Sequence, residues 1–450
     1  MVPHIPALRL GRPYDSLDRI GLKEGCGTVS QVNAGIIRKD LQRIDASRAA
    51  LKKFTVAQRI AMCARAGDIF LNANDPQSYI ETLSATSGLP HLMVRRNMQR
   101  IHSVLANMDA VLRGLTRGLD LDDHTSPYSF FPATNCLGLV MPSNSPAVNS
   151  LWLPAIALGI PVVIKPGRDE PWTPYRLIQS FIAAGVPAEA FGFYPTDHEG
   201  ADAILRLCGR ALVFGDKATT DKYAGNPSIQ VHGPGYSKVL IGADHIERWP
   251  EYIDVIAESI AANGGRSCLC ASTVVVPAHA DAIADALAQR LGPIAPLPAA
   301  DDNARLSAFA NPLMADAIDA TIEQNLPGAV EVTAAYRHGA RKVDFEGATY
   351  LRPTIVRCDS FAHPLANREF LFPYASVVEV PQEKMIEHIG PSLVVTAITS
   401  DEGWIQQLME VTSIDRLNIG PVPTLTISWD QPHEGNLFEF LYKRRAFQRA

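Results

Sequence analysis

The sequence predicts an α/β protein centred on a doubly wound, mostly parallel sheet, with a second α/β region following it. Between residues 128 and 223 short apolar runs alternate with segments of helical periodicity, and that rhythm builds a parallel sheet flanked by helices. The 450 residues allow two or three domains with sizeable cores. A composition of 47% hydrophobic and 20% charged residues is that of an ordinary soluble globular chain.

Taken in order, the opening reads as loop. Residues 32–50 and 55–83 then carry apolar side chains at helical spacing, punctuated by Pro76 and the Ser87-Gly-Leu-Pro90 turn. Residues 93–117 make a third helical run. The stretch from Phe130 to Met141 ends in a strand, and Pro142-Ser-Asn-Ser-Pro146 turns the chain into a helix over 147–158, which tolerates Pro154 poorly. A strand at 160–165, a turn at 166–174, a helix at 175–185 and a strand at 190–194 follow. The alternation continues through a helix at 199–207, a strand at 211–214 and a helix at 219–223. In such sheets ligands sit beyond the strand C-termini, where Asn144, Lys165 and Gly215 fall. No Gly-x-Gly-x-x-Gly or Walker sequence follows any of these strands.

The second region begins near Gly242. A helix-like run at 252–261 leads to Asn263-Gly-Gly-Arg-Ser-Cys-Leu-Cys270 and then to the buried-strand signal Thr273-Val-Val-Val-Pro277. Helices are predicted at 278–291 and 306–325, and strands at 328–333, 354–356, 375–380 and 393–398. The paired glycines allow a tight path that holds a thiol at an element junction, with backbone N–H groups close by. A thiolate so placed adds readily to a carbonyl carbon. Taken alone, Cys268 and Cys270 read first as small, inert core residues, and it is the rest of the chain that lowers that reading.

Charge and composition exclude several classes. A net charge of −6 gives no case for nucleic acid, and the basic close of the chain, residues 442–449, reads as a solvated terminal helix or strand. The first residues lack the apolar core of a signal peptide, and the longest apolar run, 151–164, is too short for a bilayer. Seven scattered cysteines do not make a disulfide framework, and Cys268-Leu-Cys270 has the wrong spacing for zinc, so no metal site is expected. The cytoplasm is the default compartment.

Together, the ordered motifs Pro142-Ser-Asn-Ser-Pro146, Ile164-Lys-Pro-Gly167, Phe214-Gly215, His232-Gly-Pro-Gly235, 263–268 and Glu369-Phe-Leu-Phe-Pro373 resemble the aldehyde dehydrogenase superfamily, over roughly residues 30–420. The resemblance implies a Rossmann-like cofactor domain over 1–242, a catalytic α/β domain over 243–425 and a C-terminal oligomerisation or return segment over 426–450. A small oligomerisation element is implied at about 117–131, in a homodimer or homotetramer. It also implies that Cys268 is the nucleophile. The thiol adds to an aldehyde, and hydride loss to a nicotinamide leaves a thioacyl enzyme. Asn144 matches the amide that, with the Cys268 N–H, holds the oxyanion. Lys165 matches the contact to the adenosine ribose and Glu369 that to the nicotinamide ribose. Pro142, Phe214 and Gly215 match the lining of the cofactor groove.

The departures from the pattern sharpen the expectation. Where the family usually has Glu-Leu-Gly-Gly, with the Glu as hydrolytic base, this chain has His232-Gly-Pro-Gly235. That stretch looks like the CoA-acylating members, in which CoA thiol and not water takes the acyl group. The favoured expectation is therefore aldehyde, CoA and NAD or NADP giving acyl-CoA, reversibly. The alternative is a hydrolytic enzyme making a carboxylate, with His232 as its base, since imidazole titrates near neutrality. A non-catalytic family member with a binding role is the third reading. Gly167-Arg168 stands where NAD-preferring members have Ser-Glu, and a guanidinium there suits the 2′-phosphate of NADP, although Asp169 and Glu170 follow at once. Arg266 stands in place of the usual Gln and Phe372 in place of Gly. The late Asp415-Arg-Leu-Asn418 fits the family, whereas residues 429–436 match nothing in its usual ending.

Overall fold

The computed structural model describes residues 3–23, 25–119, 121, 127–431 and 433–448. Residues 120 and 122–126, within the segment expected to serve oligomerisation, lie outside the described residues, as do Pro432 and Arg449 near the C-terminus. The chain divides into two compact units, one of residues 1–87, 94–233 and 428–450, the other of 88–93 and 234–427. The architecture is the α/β one the sequence predicts, with a mostly parallel seven-stranded sheet in each unit.

In the first unit the strand order is Ile229–His232, Arg210–Phe214, Leu137–Val140, Val162–Lys165, Phe191–Phe193, Ala7–Arg9 and Arg12–Tyr14. The first five run parallel, and the two N-terminal strands close the edge antiparallel. Helix His198–Leu207 packs on Ala34–Leu41, burying Ile204, Ile37, Val163 and Tyr194 together. Helix Trp172–Ala183 packs on Val56–Asn72, and Phe181 sits fully buried with ring centroids 5.9 Å from Trp152 and 5.6 Å from Phe191. A separate ribbon pairs Tyr128–Pro132 with Tyr442–Ala446, so the basic end of the chain is a strand.

The second unit orders its strands Ala329–Glu331, Thr354–Cys358, Tyr374–Glu379, Ala271–Val276, Ser237–Ile241, Ser392–Ile398 and Ile414–Ile419, with only the first antiparallel. Its central strands are buried throughout because both faces are covered. Val239, Ile241, Val274 and Val276 join one core with Ile256, Ile283 and Leu287. The alternate residues Leu240 and Val275 join a second core with Ile322, Met385 and Trp404. Among the described residues no helix is long and apolar enough to cross a membrane.

Several expected elements are corrected. The helix at 147–158 is a 3-10 turn, Pro146–Leu151, followed by a short helix, Leu153–Ala157. Pro154 falls in the first turn of that helix, where its missing N–H leaves no bond unmade. The run 32–50 is two helices, Ala34–Leu41 and Ile44–Leu51, and the run 93–117 is likewise two, His91–Ala106 and Met108–Thr116. Helix 306–325 begins only at Pro312, capped by Asn311, because Phe309 is drawn into a bridge with Thr349. The opening is strand where loop was expected.

Phe181→Ala should cost about 3–5 kcal/mol, the range for emptying a buried aromatic site. Urea unfolding would read this as a lower midpoint, and an unchanged midpoint would mean that the aromatic stack does not support the first unit.

Candidate active site

Within the first unit, the chain places its expected cofactor residues at strand C-termini, as doubly wound sheets do. Val162–Lys165 ends on Lys165, which lines a cavity of about 410 Å³ with Pro166, Gly167, Arg168, Thr196, Asp197 and His198. Burial lowers the Lys165 ammonium pKa, Arg168 adds to the effect and Asp169 opposes it. A Cβ on Gly167 would stand 2.4 Å from the Pro142 carbonyl oxygen, so this turn and the one after Leu137–Val140 are in backbone contact. Asp169 N–H also donates to Ser143 Oγ at 3.1 Å. Asn144 sits half-buried in that turn, whose next residues are fixed by Asn97: its Oδ1 accepts from Ser145 Oγ at 3.0 Å and from the Ala147 N–H at 3.1 Å. Of the two acids after Arg168, Glu170 is turned inward. It accepts from the Thr173 N–H and hydroxyl at 2.8 and 2.7 Å, and burial pushes it up to about 8.

Parallel pairing of Arg210–Phe214 with Ile229–His232 sets Phe214 opposite His232, and their rings stack 4.4 Å apart at 13°. Gly215 N–H donates to the His232 carbonyl at 3.1 Å. A Cβ on Gly215 would meet Thr219 Cβ at 2.5 Å, which is why the start of helix Lys217–Tyr223 needs glycine there. His232 is 5% exposed, and its Nδ1 lies 2.5 Å from Glu434 Oε2. Its Nε2 is buried with no hydrogen-bond partner among the described residues. Glu434 escaped the sequence reading. The only signal was that residues 429–436 depart from the expected pattern.

Within the second unit, helix Ile253–Ala261 runs into a turn whose Asn263, Gly264 and Gly265 have φ of 52°, 65° and 71°. A Cβ on Gly264 would stand 2.4 Å from Ser307 Oγ, and one on Gly265 would stand 2.2 Å from the Phe372 carbonyl carbon. The glycines are thus a wedge between two neighbouring segments, and they set the path that follows. Cys268 emerges half-exposed, whereas Cys270 is buried with Leu269, Leu393, Val394 and Leu425 and donates its thiol to the Ala262 carbonyl at 3.2 Å. Among the described residues no disulfide is present, and no group of His, Cys, Asp and Glu is placed to hold a metal.

The Cys268 carbonyl accepts from Ser237 Oγ at 2.8 Å, and a Cβ on Gly235 would lie 2.0 Å from that same oxygen. Glu369 Oε2 accepts from the Tyr236 N–H at 2.7 Å. So the structure brings Cys268 and Glu369 onto one short segment, 235–237. Enclosure raises the Glu369 carboxyl to about 7, against the pull of the Tyr236 and Gly235 amides and of Lys238. Lys238 was also missed. It is fully buried, donates to the Tyr236 carbonyl at 2.5 Å and to Ser392 Oγ at 2.9 Å, and burial lowers it to about 7 against the charge of Glu369. The two residues that depart from the expected family pattern here have structural work. Arg266 is buried, bonded to the Ala308 carbonyl and 5.6 Å above the Phe309 ring, and Phe372 packs with Phe370 and Tyr374.

A sequence profile described as the aldehyde dehydrogenase family matches residues 14–389. Among curated proteins, N-succinylglutamate 5-semialdehyde dehydrogenase 2 of Caulobacter vibrioides is 26% identical over 273 residues, 55% of this chain and 55% of that protein. Aminoacetaldehyde dehydrogenase of Pseudomonas aeruginosa is 27% identical over 263 residues, 54% of this chain and 49% of its own length. The chain therefore spans about half the length of the curated relatives it matches. Among solved structures, the aldehyde dehydrogenase KauB of Pseudomonas aeruginosa superposes with a TM-score of 0.84 at 15% identity, covering 99% of this chain and 96% of that one. Aldehyde dehydrogenase 21 of Physcomitrella patens, in complex with succinate, gives 0.81 at 15% identity, covering 99% and 98%.

Gly265→Ala tests the wedge. Adding a methyl group at a left-handed position against backbone should cost about 1–3 kcal/mol. A lower unfolding temperature and a changed rate of Cys268 alkylation are expected together. A variant unchanged in both would mean that the glycine pair does not set the thiol's position.

Proposed function

We propose, for a chain that belongs to the aldehyde dehydrogenase family, NAD(P)-dependent oxidation of an aldehyde to a carboxylate, with Cys268 as nucleophile and His232 as base. The contrast on the cysteine segment supports the nucleophile, since Cys268 is half-exposed on a glycine-set turn and Cys270 is locked in the core. The observation that carries the base is His232 Nε2, buried with no partner among the described residues while Nδ1 meets Glu434. The Cys268 sulfur adds to the aldehyde carbon, and the Asn144 amide donates to the resulting oxyanion. When bound, the nicotinamide supplies the acceptor for the hydride. The C–H bond then breaks and a thioester remains on Cys268. His232 Nε2 takes a proton from water, whose oxygen bonds to the acyl carbon. The C–S bond breaks with its electron pair returning to the Cys268 sulfur, and the acid ionises.

The cavity at Lys165 fits such a cofactor, because two cations and a glycine turn suit hydroxyls and phosphate oxygens. Lys165 would hold the adenosine ribose, and Arg168 would meet a 2′-phosphate. The inward turn of Glu170 supports NADP, since it removes one of the two acids that would oppose that phosphate. Pro142, Phe214, Gly215 and Glu369 remain the proposed lining and ribose contacts.

The second reading makes CoA thiol the acyl acceptor, and the absence of a carboxylate at position 232 favours it, because a thiol supplies thiolate near neutral pH without a base. The close approach at Gly235 is a packing requirement, and the usual Glu-Leu-Gly-Gly has glycine at the same place. That glycine therefore does not discriminate between acceptors.

Stopped-flow NAD(P)H formation decides between them. The hydrolytic reading expects steady turnover without CoA, and His232→Ala should slow it by about a hundredfold or more while leaving the first-turnover burst. Cys268→Ala should abolish the burst while cofactor binding survives, and Cys270→Ala should retain most activity. A single burst that becomes turnover only when CoA is added would establish the second reading.

For the cofactor, Arg168→Glu should weaken NADPH binding more than NADH binding, a charge-assisted contact being worth about 1.5–3 kcal/mol. Equal losses by calorimetry would remove the argument for a 2′-phosphate.

A further inference from the structure

We infer that Glu434, delivered by the atypical segment 429–436, is a positioning residue that holds the His232 imidazole as its Nδ1–H tautomer, with the Nε2 lone pair as the base. The inference rests on the proposed role of His232 in acyl release. His232 is constrained at three points. Its backbone is fixed by the parallel pairing with Arg210–Phe214, one ring face lies on Phe214, and Nδ1 is 2.5 Å from the Glu434 carboxylate. A carboxylate oxygen at Nδ1 can only accept, so in the neutral ring the proton sits on Nδ1 and Nε2 carries the lone pair. That Nε2 is the buried nitrogen with no partner among the described residues, and a buried polar atom left so calls for a reason.

Glu434 is itself anchored. Its carbonyl accepts from Gln230 Nε2 at 2.7 Å, two residues before His232 on the same strand. Gly435, with φ of 63°, lies so close to Gln230 that a Cβ would stand 2.7 Å from Nε2. Asn436 donates to the Leu115 carbonyl at 2.9 Å and caps the helix Leu437–Leu441. At the other end, the Asp430 carbonyl oxygen would lie 2.6 Å from a Cβ on Gly114. The segment that departs from the usual ending is thus secured on both sides of Glu434, and His232 is the departure it meets.

The test uses the full chain in four forms: wild type, His232→Ala, Glu434→Gln and the double variant. Nitrogen-15 NMR of the imidazole, with His232→Ala identifying the resonance, should show the Nδ1–H tautomer in wild type and its loss in Glu434→Gln. In stopped flow without CoA, the probe is whichever of propionaldehyde, benzaldehyde and succinic semialdehyde gives the largest wild-type burst. Glu434→Gln should keep that burst and lower the steady rate by about tenfold to a hundredfold, and the double variant should be no slower than His232→Ala alone. A slow His232→Ala beside a Glu434→Gln of wild-type rate and tautomer would overturn the positioning role while leaving His232 the base. Loss of the burst in Glu434→Gln would make the contact structural and overturn it as well. A His232→Ala variant turning over at the wild-type rate, or the absence of a burst with all three aldehydes, would remove the underlying reading and the inference with it.

Discussion

The second unit is organised around one close approach. The backbone at Gly235 passes the Cys268 carbonyl so nearly that no Cβ fits between them. Directly beyond it the chain enters the strand Ser237–Ile241, and beyond Cys268 it enters Ala271–Val276. These strands are parallel neighbours, with Ser237 opposite Ala271. Sheet pairing therefore fixes the distance between the glycine turn and the cysteine turn. The Ser237 hydroxyl, donating to the Cys268 carbonyl, ties the two ends together before the register irregularity between Ser237 and Lys238. The thiol is held by its own backbone, and the backbone by the sheet. Loops carry chemistry well when a rigid scaffold aims them in this way.

That arrangement has an electrostatic cost, met locally. Lys238 and Glu369 both lie against the 235–236 backbone, and burial moves them in opposite directions toward about 7. A lysine lowered in the folded state destabilises below about 7, and this effect fades as pH rises toward the ordinary lysine range. A glutamate raised in the folded state destabilises above about 7, and this effect fades as pH falls toward the ordinary carboxylate range. The slopes oppose each other. Mutual attraction offsets part of what each loses on leaving water, and the hydrogen bonds to Tyr236 and Ser392 supply more.

What the sequence made legible follows from where its signals are local. The alternation from 128 to 223 could be read because strands buried on both faces are continuous apolar runs, and the motif turns fall at their ends. Cys268 could be told from Cys270 by the family resemblance and not by local chemistry, and the fold leaves Cys268 half-buried while it buries Cys270 two residues away. The N-terminal strands Ala7–Arg9 and Arg12–Tyr14 are too short to show a period, and Pro13 argues against a strand there. Lys238 was invisible because Ser237-Lys-Val-Leu-Ile241 carries no sign that its lysine points into a closed core. Glu434 lies 202 residues from His232 in sequence, so no spacing argument reaches it.

The two oddest features of the chain are thus physically one. A carboxylate is missing from position 232, and another arrives behind the imidazole from a segment that itself departs from the expected ending. If His232 is the base proposed above, the change of charge explains how such an exchange can be tolerated. A lone glutamate acting as base goes from an anion to a neutral acid when it takes a proton. In a His–Glu pair the imidazole takes the proton while the carboxylate stays ionised, so the pair also goes from one negative charge to none. The surrounding dipoles, set in advance by the fold, therefore meet the same change in net charge. What differs is where the proton is held, one ring farther from the carboxylate, on a nitrogen whose ordinary pKa lies closer to neutrality than that of a carboxyl group.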